Sequence, residues 1–319
     1  VEPRIFVAIA AYRDAELIPT VRDLFAKAAH PERIDVGVCW QGVPEDDAML
    51  GPVPYPAQVH LERHHARDSK GACWAKGRAL DLRREEPYTL LGDSHLRFCA
   101  GWDDALVEML ARCDSPRPVL STYPAPYRPA GALGIAPERL EYATPVLCAA
   151  GFGDEHIPRL IAQNRALAAP APNPFVAGGF MFAPSRLFDD VPMDPGVFFL
   201  GEEVTFAARA FTWGWDAFAP DACVTHHFYG RQRAPKVWQD KRDWSALNAR
   251  SYARVKHLLG IERATDPAAL ADLGRYGLGP VRSLAQFERF AGVNFRTRTV
   301  TDAAKRGEYA LTRSRPEAA

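Results

Sequence analysis

The stretch LLGDSHLRF, residues 90–98, ends an apolar run on two side chains able to hold a cation. Asp93 and His95 lie two positions apart, and in extended backbone positions i and i+2 project to one side. A carboxylate and an imidazole facing the same way fit two ligands of one metal. They fit equally a strand end turning into a polar loop. Hard oxygen ligands with an imidazole suit Mn²⁺. The later stretch THHFYGR offers a third ligand in His226 or His227. Neighbours on a strand point to opposite faces, so only one of that pair can join the site. A second pair of acids, Glu202 and Glu203, follows Gly201 at a helix start. Acids there gain ~0.3–1 kcal/mol from the helix dipole, so the pair reads either as dipole placement or as chemistry.

The elements that must position these groups alternate in type. RIFVAIAA (4–11) reads as a buried strand, followed by helical spacing at Leu17, Val21, Leu24 and Phe25. Residues 33–41 read as a second strand, 57–66 as a third, 71–85 as a helix and 87–95 as a fourth strand. Residues 102–113 form an amphipathic helix with Asp103 and Asp104 in its first turn, and 118–124 a fifth strand. This alternation predicts an α/β fold: a Rossmann-like, mostly parallel central sheet flanked by helices. Residues 124–175, rich in proline, predict a long irregular insertion of the kind that carries function. A catalytic domain is expected over 1–235, with a C-terminal helical extension packed on it over 236–319 and a loose polar end at 306–319.

In such sheets ligands bind beyond the carboxyl ends of the strands. Three strand ends deliver polar groups there: the turn AAYRD (10–14), Gln41, and Asp93 with His95. Neither a GxGxxG turn nor a Walker A loop is present, so a nucleotide-sugar, whose diphosphate needs a divalent metal, is the nucleotide ligand that survives. Gly71 opens the helix after HHARDSK and is placed under the nucleotide, with Arg67 and Lys70 either meeting phosphate or solvated. His64 and His65 read as rim residues. The glycine pair Gly178–Gly179 allows a close backbone approach to a sugar or simply starts a strand.

Composition narrows the field further. The 39 basic and 39 acidic residues cancel, which argues against a nucleic-acid partner. No apolar run approaches the ~20 residues of a membrane span, and the opening VEPRIFVAIAAYRD does not read as a signal peptide. Six cysteines without CxxC spacing suit reduced thiols in a cytoplasmic setting.

GDSHLRF resembles the DxH form of the DxD motif in glycosyltransferases of the GT-A fold. FVAGGFMFAPSRLF, FFLGEE and THHFYGR resemble, in the same order, the catalytic region of polypeptide GalNAc-transferases. The resemblance to glycosyltransferase family 60, the protein-hydroxyproline GlcNAc-transferase type, is closer. It is carried by IFVAIAAYRDAELIPT, GVCWQ, GDSHLRF, WDDAL, VLSTYP, GEE, TWGWD and YGLGPVRSLAQFERFAGV, and spans roughly residues 4–295. The resemblance implies retaining transfer of GlcNAc from UDP-GlcNAc to a hydroxyl acceptor on a protein, peptide, glycan or small molecule. It implies Mn²⁺ or Mg²⁺ on Asp93, His95 and a distal histidine. The spacing of family 60 selects His227, that of the GalNAc-transferases His226. It further implies donor contacts from Ala11, Tyr12, Arg13, Gln41, Gly71, Asp93, Ser94, Gly178 and Gly179, with Asp14 on the uridine side. Glu202 or Glu203 holds the donor sugar, Glu202 being the expected more sensitive site. The rival readings are an inverting enzyme with Glu203 as general base and a nucleotide-sugar-binding module without turnover.

Overall fold

The computed structural model describes residues 3–127 and 143–311. The strands used below are β1 (Ile5–Tyr12), β2 (Ile34–Gly42), β3 (Val59–His65), β4 (Tyr88–Asp93), β5 (Leu96–Phe98), β6 (Pro118–Ser121), β7 (Ala125–Pro126), β8 (Ala143–Phe152), β9 (Pro158–Ala166), β10 (Ala171–Pro172), β11 (Phe180–Pro184), β12 (Asp216–Ala219) and β13 (Thr225–His227). The helices that matter below are α1 (Leu17–Lys27), α2 (Ala72–Leu80), α3 (Trp102–Ala111), α4 (Arg186–Asp190), α5 (Glu202–Thr212), α6 (Val237–Asp240), α7 (Trp244–Leu258), α8 (Leu273–Tyr276) and α9 (Leu284–Ala291).

Eight strands form one sheet in the order β10-β12-β6-β11-β4-β1-β2-β3. All run parallel except β11, antiparallel to β4 and β6, and β10, antiparallel to β12. The sheet is buried on both faces, and β1 shows why its sequence is almost wholly apolar. Ile5, Val7, Ile9 and Ala11 pack in one core with Leu17, Val21 and Leu24 of α1 and Trp102, Leu106 and Met109 of α3. Phe6 and Ala8 turn the other way, into a core shared with Cys73, Ala75 and Ala79 of α2 and Phe206, Ala207 and Phe211 of α5. The result is a helix–sheet–helix sandwich, as the alternation of elements predicts. Beyond residue 236, Val255 of α7 and Phe287 and Ala291 of α9 join this second core.

The segment 124–175 differs from the irregular insertion expected. Among its described residues, β8 and β9 pair antiparallel over nine registered positions as a two-stranded ribbon, with a bulge between Ala149 and Gly151. Only β8 is buried along most of its length. Most of β9 is exposed, so PRLIAQNRA lacks the apolar alternation that marks a strand. A small sheet, β5-β13-β7, lies beyond the carboxyl end of β4 and carries the histidines. No helix among the described residues is long and apolar enough to cross a membrane. All six cysteines are buried, none in a disulfide.

Candidate active site

A cavity of about 590 Å³ opens at the carboxyl ends of β1, β2 and β4. Tyr12, Gln41, Gly71, Asp93, Ser94, His95, Gly178, Gly179, Glu202, Glu203 and His227 all line it. Asp93 is the last residue of β4; Ser94 and His95 form a turn into β5. The turn, rather than a continued strand, swings the imidazole of His95 toward the carboxylate. His95 Nε2 stands 3.9 Å from Asp93 Oδ2. His227 arrives from β13, paired in register with Leu96, and its Nε2 donates to Asp93 Oδ2 at 3.0 Å. The two imidazoles meet edge to face with centroids 4.4 Å apart. One ligand atom from each of Asp93, His95 and His227 lies within 4.8 Å of the other two, the one such group among the described residues. One carboxylate and two imidazoles form a donor set able to hold a divalent transition-metal ion. Burial would raise the Asp93 carboxyl, but the hydrogen bond from His227 and the charges of His95, His227 and Lys76 hold it well below the usual carboxylate range. His226 points off the other side of β13, is 1% exposed and does not reach the cleft.

Asp14 stands behind His95. Its Oδ2 accepts from His95 Nδ1 at 2.9 Å and from Ser94 Oγ at 2.5 Å. Arg231 Nη2 lies 3.2 Å from the same oxygen. Arg13 is not turned into the cleft. Its φ of +46° puts it in left-handed backbone, and its guanidinium binds Asp46 at 2.7 Å and Asp240 of α6 at 2.9 Å. Tyr12 also donates to Asp240, at 2.6 Å. Ala11 is fully buried in the core beside α1. Arg67 and Lys70 are exposed and outside the cleft, and His64 binds Glu62 at 2.9 Å and packs edge-on against Trp74.

The opposite wall is the start of α5. Glu202 Oε1 accepts from Lys76 Nζ at 2.5 Å, both groups buried. Burial lowers the Lys76 amine, and the Glu202 and Asp93 carboxylates more than reverse this, so it stays protonated. Glu203 Oε1 accepts from the Gly178 amide at 2.8 Å and Oε2 from Tyr123 Oη at 2.5 Å. Burial nevertheless pushes the Glu203 carboxyl up to about 7. The glycine pair fits between the walls. A Cβ on Gly178 would sit 2.8 Å from Lys76 Nζ, and one on Gly179 2.3 Å from Asp93 Oδ2. A larger residue at either position would therefore displace the charged ends of Lys76 or Asp93 from where they stand.

Sequence reasoning passed over Lys76, Tyr123 and Tyr229, which line the same cleft. Lys76 had a signal: it falls on the stripe Cys73–Lys76–Leu80 of α2, where a lysine is out of place on a buried face. Tyr123 and Tyr229 follow strand ends and carry no comparable mark.

Among solved structures the chain is similar to GalNAc-T7, crystallised with UDP, GalNAc and Mn²⁺, at 13% identity and a TM-score of 0.57. That match covers 90% of this chain, which spans 56% of the length of GalNAc-T7 in that structure. A mannosyltransferase from Pyrobaculum calidifontis, PcManGT in complex with GDP-Man and Mn²⁺, matches at 14% identity and a TM-score of 0.47, over 84% of this chain and 67% of that one. No curated protein matches the chain. The mixed sheet flanked by helices is the GT-A glycosyltransferase fold. The sequence pattern of the family described as Glycosyltransferase (GlcNAc) matches residues 4–55 and 51–297. Those residues take in every strand end and both acid-bearing walls of the cleft, and the chain belongs to that glycosyltransferase family.

Proposed function

We propose that the protein transfers GlcNAc from UDP-GlcNAc to a hydroxyl acceptor with retention of configuration, using Mn²⁺ or Mg²⁺ held by Asp93, His95 and His227. The observation that carries this reading is the convergence of those three side chains at the carboxyl end of β4, across one cleft from Glu202 and Glu203. When bound, the metal neutralises the charge that grows on the diphosphate leaving group. Tyr12 and Gln41, at the ends of β1 and β2, bind the nucleoside side of the donor. Lys76 keeps Glu202 paired and fixed, so that its remaining oxygen can accept from a sugar hydroxyl. In a retaining transfer the acceptor oxygen forms its bond to the anomeric carbon on the face from which the phosphate oxygen departs, and the acceptor proton leaves with that phosphate. The acceptor, on a protein, peptide, glycan or small molecule, enters past the exposed Phe199 and Trp238 at the mouth. The buried thiols suit a reducing, cytoplasmic setting.

One observation favours a second reading. A Glu203 carboxyl raised to about 7 lies where a general base is effective, and an inverting enzyme would use it to take the acceptor proton. UDP release from a panel of UDP-sugars, with and without Mn²⁺, followed by the anomeric proton coupling of the product, tests both. Metal-dependent release from UDP-GlcNAc with an α-linked product supports the first reading. A β-linked product replaces it with the second. UDP binding without release from any donor, with any acceptor hydroxyl supplied, would reduce the protein to a binding module.

A further inference from the structure

Asp14 is 4% exposed, two residues past the end of β1, and no part of its carboxylate is left without a donor. Oδ1 accepts from the Glu16 amide at 3.0 Å. Oδ2 collects Ser94 Oγ, His95 Nδ1 and the Arg231 guanidinium. A carboxylate flanked by a hydroxyl and a guanidinium acts only as acceptor, so its contact with His95 places a hydrogen on Nδ1. The other ring nitrogen, Nε2, is the one directed toward Asp93 Oδ2. A histidine ligates a metal through a nitrogen that carries no hydrogen, and the partner of the opposite nitrogen decides which one that is. The sequence suggests Asp14 for the uridine side of the site. In the fold it stands against Nδ1 of His95.

We infer that Asp14 is a positioning residue that fixes the ring of His95 with Nε2 as its metal-facing nitrogen. This rests on the metal reading above. The carboxylate also tethers Arg231, which lines the cleft, so one buried side chain sets two groups on the same wall.

The test is a double-mutant cycle on Mn²⁺ affinity, read from the free-ion signal in electron paramagnetic resonance with the full chain and no substrate. Asp14→Ala should weaken Mn²⁺ binding about 10–100-fold. In a His95→Ala background the same change should cost less than about twofold, because the route through the ring of His95 is gone. Asp14→Asn, which keeps an acceptor oxygen, should recover part of the loss and gives the same cycle should the alanine variant fail to fold. Equal affinity for wild type and Asp14→Ala, or an equal loss in both backgrounds, overturns the inference and leaves the metal reading standing. A wild-type chain that binds no Mn²⁺ overturns both.

Discussion

The two walls of the cleft bury charge in different ways. On the α5 wall each acid is closed by partners of its own chain: Glu202 by Lys76, and Glu203 by the Gly178 amide and Tyr123. On the β4 wall the closure is partial. His227 Nε2 reaches Asp93 Oδ2 at 3.0 Å, but His95 Nε2 stops 3.9 Å from it, beyond hydrogen-bond reach. The first wall holds both acids against partners of its own chain; on the second, the proposed cation would supply the partner that His95 Nε2 lacks from Asp93. Damage should therefore appear as lost ligand affinity on the β4 wall. On the α5 wall it should appear as lost rate and altered stability, because removing one member leaves the other buried and unpaired.

The largest effect is expected on the β4 wall. Asp93→Ala and His227→Ala should each lower metal-dependent turnover by more than about 100-fold while the circular dichroism spectrum stays native. Near wild-type UDP release that is indifferent to chelator would erase the distinction between the walls. The histidine pair sharpens it: His227→Ala should cost more Mn²⁺ affinity than His226→Ala, and the reverse order would move the distal ligand to His226.

A smaller loss is expected across the cleft. Glu202→Gln and Glu203→Gln should lower kcat by about 10²-fold, Glu202 being the more sensitive, with UDP affinity preserved because the proposed nucleotide site is at the strand ends. Two glutamine variants with full kcat would leave this wall with a purely structural task.

The smallest effect is a pH dependence of stability. Burial raises the Glu203 carboxyl from 4.5 to about 7. The folded state then holds a proton that the unfolded state releases, so the contribution of Glu203 is fully present below about pH 4.5 and is lost as pH rises through about 7. Urea midpoints measured across that window should fall with pH in the wild type and change less in Glu203→Gln. Parallel profiles would mean that Tyr123 and Gly178 already keep the carboxylate ionised.

Much of the β4 wall was legible because its information is local. Asp93 and His95 sit in one short stretch at a strand end, and the apolar runs that place β1, β2 and β4 are nearly continuous. What was not legible depends on contacts across long sequence separations. Asp14 and His95 are 81 residues apart, and Lys76 and Glu202 are 126 apart. The stripe of α2 marks Lys76 as buried, but nothing local names the partner in either pairing. Arg13, in left-handed backbone, is held by Asp46 and Asp240, 33 and 227 positions away, which no local spacing announces. The β8–β9 ribbon escaped because its outer strand is solvated on most positions, so hydropathy gives no alternation to read.

Asp93 and His227 are joined across 134 positions of the chain. Contacts of that span are entropically costly to close and tend to form after the local ones. The short strand β13 is held to β5 by only three registered pairs. Assembly of the cleft thus requires this brief strand, paired also with β7, to dock in register. An ion bridging the two sides would act as a fastener for that docking, stabilising the native state in proportion to its own occupancy. The protein's resistance to unfolding would then report on the availability of the ion.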